Sequence, residues 1–114
     1  MDVDTRTKIV PTQHAALIAA SGATVVSGYF DPLLAWHVSR LEELKRGRGP
    51  LLVLIAAPEK PILPPRARAE LLAGLRAVDY VCETPDGIAP QVRLEEEDSV
   101  RFKELIRRVH ARNA

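Results

Sequence analysis

Gly28-Tyr29-Phe30-Asp31 and, six residues on, His37 are the residues whose types and spacing fit phosphate chemistry. A β-branched run, Thr24, Val25 and Val26, reads as a buried strand that ends in these residues, and His37 follows in the opening of an amphipathic helix. Glycine at position 28 lets the backbone turn without a Cβ clash. The helix beyond offers unsatisfied N–H groups and the positive end of its dipole to an anion. The histidine falls where phosphate would lie.

Such a turn needs a strand before it and a helix after it, and the chain alternates in that way: helix, strand, helix, strand, helix, strand and a closing helix. A first helix is expected over about 12–20, with Thr12 as N-cap and Ser21-Gly22 as the stop. The second spans about 35–46, where Val38, Leu41 and Leu44 share one face until Gly47 and Gly49 end it. Leu51 to Ala57 is a continuous apolar run, too short for a typical helix, which suits a parallel strand at the centre of a sheet covered on both faces.

Four prolines between 58 and 65 make the next segment non-helical, before a helix over about 65–76 with Pro65 at its first position and Leu71, Leu72 and Leu75 inward. Tyr80-Val81-Cys82 is a third strand, and Thr84-Pro85-Asp86-Gly87 is turn chemistry. From about 98 to 111 the chain reads as helix, with Val100, Leu105 and Val109 apolar and Arg107, Arg108 and Arg112 near the end. The alternation predicts an α/β fold, a parallel sheet flanked by helices.

With 114 residues the chain is expected to form one domain over 1–114. Sixteen basic against fifteen acidic side chains leave a net charge of +1, so no general grip on nucleic acid or membrane is expected, and any anion site must be local. One cysteine, Cys82, has no partner for a disulfide and reads as a small core residue. His14 and His110 fall on separate expected helices, so no metal site is expected. Without an apolar segment like a signal peptide or a membrane span, the expected location is the cytoplasm.

Gly28-Tyr29-Phe30-Asp31, His37, Arg68 and Val78-Asp79-Tyr80-Val81 fall in the order and spacing of cytidylyltransferase-like nucleotidyltransferases, a resemblance covering most of the chain from Lys8 to Val81. The chain looks most like heptose-phosphate adenylyltransferase domains, whose lead-in Lys8-Ile9-Val10 also resembles, and next like glycerol-phosphate cytidylyltransferases. In those families the first strand ends in G-x-F-D, the next helix opens with H-x-G-H, a later helix holds an arginine, and a V-D-x-V strand follows. The resemblance implies a Rossmann-like sheet whose strand ends hold ATP or CTP with Mg²⁺. It implies in-line attack by a sugar or polyol phosphate on the α-phosphorus, with pyrophosphate leaving. It also implies a homodimer. Carried over residue by residue, His37 is the catalytic donor to the triphosphate, Gly28, Tyr29, Phe30 and Asp31 lie beside the nucleotide, and Arg68 and Lys60 contact phosphate.

The chain departs from the pattern where H-x-G-H has become Leu34-Ala35-Trp36-His37. Leucine offers no hydrogen bond, and an indole replaces the glycine that close backbone approach requires. The serine/threonine-rich motif of the form I-S-[ST]-T-x-x-R is missing too, and the acidic run Glu95-Glu96-Glu97-Asp98 stands in roughly that part of the chain. Losing one such contact costs about 3–4 kcal/mol, or ~10²–10³ in rate. The portion after Val81 is short for the family, so a further strand is expected to be missing. Two readings follow: a degenerate domain with weak or no catalysis that keeps a nucleotide- or phosphate-binding pocket or an assembly role, and an active transferase.

Each residue also has a structural reading. His37 reads as a polar residue in a first helical turn, Asp31 as a turn residue or cap, Arg68 as a solvated helix residue, and Lys60 as an exposed loop residue. Trp36 could close the pocket, stack on a ligand base or pack over the sheet edge, with packing the favoured reading, and the acidic run reads as a solvated helix start.

Overall fold

Strand β1 is Thr24–Gly28 and strand β2 is Leu51–Ile55, paired in parallel with Thr24 opposite Leu51 and Gly28 opposite Ile55. The computed structural model describes residues 4–113, and the side chains of Leu105, Val109, His110 and Arg112 lie outside the described residues. Strand β3, Tyr80–Cys82, joins β2, while β4, Val92–Arg93, joins the free side of β1. The order is therefore β3-β2-β1-β4, all parallel, as the apolar runs and intervening helices require.

Helices α1, Thr12–Ala20, α2, Ala35–Lys45, α3, Pro65–Ala73, and α4, Leu94–Asn113, flank this sheet in a Rossmann-like α/β arrangement. All five residues of β2 are buried because both faces are covered. On one face Val26, Val53 and Ile55 pack with Leu41 and Leu44 of α2 and Leu72 of α3. On the other, Val25, Leu52, Leu54 and Cys82 pack with Ala15 of α1. Each fully buried Leu or Val contributes roughly 1.5–3 kcal/mol. No described helix is long and apolar enough to cross a membrane.

Several expectations are corrected. A fourth strand does form after Val81. Gln91 lengthens it: its backbone N–H donates to the Val25 carbonyl at 2.8 Å, and its side-chain Oε1 accepts the Val25 N–H at 3.3 Å. Helix α4 starts at Leu94 rather than near Asp98, because Leu94 is fully buried and anchors the first turn. Thr12 is the first helical residue instead of the N-cap, which is Pro11; its hydroxyl bonds across to Thr84. Helix α3 stops at Ala73 with Gly74 as its cap, and Leu71 faces outward at 50% exposure while Leu72 is buried.

Candidate functional site

In an open parallel sheet a ligand crevice forms beyond the C-terminal strand ends, where the strand order reverses. Here the reversal lies between β1 and β4, so the openings of α2 and α4 face each other across it. A cavity of about 730 Å³ occupies this region, lined by Tyr29, Trp36, Lys60, Asp98 and Arg101 among others.

His37 is set by the way α2 begins. Leu34, the N-cap, has no side-chain acceptor for the first turn, so only half of a capping box forms: His37, the third helical residue, reaches back and its Nδ1 accepts the Leu34 N–H at 2.8 Å. That bond fixes the tautomer. With Nδ1 accepting, the proton sits on Nε2, which donates to Asp98 Oδ1 at 2.8 Å. The ring is 2% exposed, stands edge-on to Phe30 with centroids 5.3 Å apart, and lies 4.2 Å from the Trp36 ring. Trp36 thus packs in the cleft instead of over the sheet edge, with the Arg101 guanidinium 4.3 Å above its ring.

The first turn of α4 is correspondingly not a solvated acidic run. Glu95 accepts the Ser27 hydroxyl at 2.8 and 2.9 Å, Glu97 pairs with Arg40 at 3.2 Å, and Asp98 holds His37. The buried Ser27 hydroxyl at the end of β1 and two side chains of α2, His37 and the half-buried Arg40, claim the carboxylates, and the positive helix end favours them there.

Asp31 ties two loops together, its carboxylate accepting the N–H groups of Ile62 and Leu63, each at 2.7 Å. The Ile62 bond, with that of Leu63 and the charge of Arg68, holds its carboxyl below the usual range. Arg68 is buried at 2% exposure rather than solvated. Its guanidinium donates to the carbonyls of Tyr29 at 2.9 Å, Ala56 at 3.1 Å and Leu63 at 3.2 Å. Gly28 spares the turn a Cβ clash, as its place at the strand end predicts: a Cβ there would lie 2.7 Å from Phe30 Cζ. Phe30 takes the left-handed conformation, with φ of 50°, and its ring is fully buried against that glycine.

Of the residues singled out from sequence, Tyr29, Asp31, His37 and Lys60 line the cleft, and Lys60 is exposed at its rim. Gly28, Phe30 and Arg68 are instead buried. Ser27, Glu95, Asp98 and Arg101 join the site only through the fold. The signal available for Ser27 was its place as a hydroxyl at the end of an apolar strand.

The cleft also mixes charge signs, with Lys60, Arg101 and Arg108 against Asp31, Glu95, Asp98 and Glu104. Among the described residues no group of three or more metal-ligating side chains converges. Both oxygens of Asp31 are taken by backbone N–H groups. The residues present thus do not form a protein cage for Mg²⁺.

No protein-family model matches the sequence. The chain is 32% identical over 97 residues to the bifunctional protein HldE of Chromohalobacter salexigens, covering 74% of this chain and 20% of that protein. It is 35% identical over 120 aligned positions to the bifunctional protein HldE of Magnetococcus marinus, covering 84% of this chain and 24% of that protein. The chain therefore spans only about a fifth to a quarter of the length of these relatives.

Proposed function

We propose that this chain is a degenerate nucleotidyltransferase-like domain of the cytidylyltransferase type, whose cleft binds a nucleotide or a phosphorylated small molecule with weak or no transfer chemistry. The similarity to two HldE proteins over most of the chain, together with the cleft at the strand-order reversal, supports the family assignment. The observation that bears most on activity is the bond from His37 Nε2 to Asp98. The ring nitrogen that would donate to a triphosphate already has a carboxylate on it. At Leu34, where the motif places its first histidine, the side chain offers no donor at all.

Binding would then rest on Lys60 and Arg101 for charge and on Trp36 and Tyr29 for an aromatic surface. Mg²⁺ would arrive on the triphosphate, screening its charge. In the alternative reading the domain is active. An oxygen of a sugar or polyol phosphate attacks the α-phosphorus of ATP or CTP, the bond to the bridging oxygen breaks, and pyrophosphate leaves.

Titration calorimetry with ATP and with CTP, each with Mg²⁺, tests the reading on the wild type and His37→Ala. Weak binding that persists in His37→Ala, without pyrophosphate release in the presence of sugar phosphates, is expected; binding that His37→Ala abolishes would favour the active reading. Steady pyrophosphate release would establish the active reading, and absence of binding by both nucleotides would remove the pocket. The assembly role, a homodimer, is checked by sedimentation equilibrium: a protomer mass at all concentrations excludes it.

A further inference from the structure

We propose that Asp98 is a tethered competitor at this cleft: its carboxylate occupies the donor that an incoming phosphate needs, so that the first turns of α4 hold the site closed to anions. The inference rests on the binding reading above and adds its regulation.

Four observations support it. Nε2 of His37 is a buried donor whose single hydrogen is directed at Asp98 Oδ1 at 2.8 Å, while Nδ1 is committed to the Leu34 backbone, so the ring has no second hydrogen to offer. Asp98 itself is 25% exposed and lines the cavity, so it stands between this donor and the open space. Glu95 lines the same cavity, fixed by the Ser27 hydroxyl, and adds a second negative charge that repels a polyphosphate. Arg101, one turn beyond Asp98, covers Trp36 and so removes from the cleft an aromatic face together with a cation. All these groups belong to the same end of one helix, so one displacement would release them together.

A charge-assisted bond is roughly twice as strong as a neutral one. The decisive variant is therefore Glu95→Gln/Asp98→Asn, which retains an acceptor for Ser27 and for His37 but removes both charges. Inorganic tripolyphosphate and ATP, each with Mg²⁺, are titrated into the wild type and the variant. The emission of Trp36, the one tryptophan in the chain, is followed in parallel.

Affinity at least about tenfold higher in the variant, with a change in Trp36 emission on binding, is the expected result. Equal affinity in the two proteins would overturn the competitor role and leave the binding reading intact. No binding by either, with both shown folded by circular dichroism, would remove the competitor and the pocket together. Should the double variant not fold, Asp98→Asn alone is read by the same criteria.

Discussion

Arg68 illustrates how one side chain can fix a site without touching a ligand. Its guanidinium satisfies carbonyls of Tyr29, Ala56 and Leu63, which belong to the loops after β1 and after β2. Replacing it by leucine leaves three carbonyls without this donor and is expected to destabilise the protein by about 3 kcal/mol, read as a lower urea midpoint. Arg68→Lys should recover only part of this, because a single ammonium cannot span the fork. Asp31 acts on the same two loops and gives them a pH dependence. Its folded pKa lies below the unfolded value because the carboxylate accepts two N–H bonds, so its contribution is present above the unfolded pKa and is lost as pH falls through the folded one. The melting temperature of Asp31→Asn should therefore fall less steeply than that of the wild type as pH drops below about 4. The positions of both residues are legible in the sequence, but the burial of Arg68 and the loop-bridging bonds of Asp31 are not. An arginine one turn from a proline-rich loop reads as solvated until the loops it clasps are in place.

Among the elements, α4 matters most to the cleft and was the least legible. Its start depends on Leu94, a single apolar residue ahead of four acids, and on the short β4, whose ladder Gln91 completes with a side-chain oxygen. Neither has a periodic signature, because two strand residues cannot alternate visibly and one anchor makes no stripe. By contrast α1, α2 and α3 were readable from apolar spacing, from proline at a first turn and from glycine at the ends, and β2 from an unbroken apolar run. Because Leu94 is fully buried at the point where α4 leaves the sheet, Leu94→Ala should cost about 2–4 kcal/mol and loosen the helix start. Acrylamide quenching of Trp36 checks this: quenching should rise in Leu94→Ala at temperatures where the rest of the fold remains intact.

At the scale of the whole molecule, both packed faces share β2, with Leu51, Val53 and Ile55 turned to one and Leu52 and Leu54 to the other. The α/β class and the central place of this strand follow from its composition alone, since only a doubly covered strand can be apolar at every position. The location of the cleft was partly legible: the β1 turn pointed to it, while its opposite wall required the position of β4, which brings Glu95 and Asp98 against β1 and α2. Long-range pairings of this kind leave no local trace in the residues that make them.

The bonds of Asp31 and Arg68 also divide the cleft mechanically. They make the β1–α2 turn and the β2–α3 loop one fixed jaw, whereas α4 meets the cleft through side chains alone at Ser27, His37 and Trp36. If α4 acts as the competitor proposed above, entry waits on displacement of its first turns, and the observed rate of tripolyphosphate capture should level off with concentration at the frequency of that displacement.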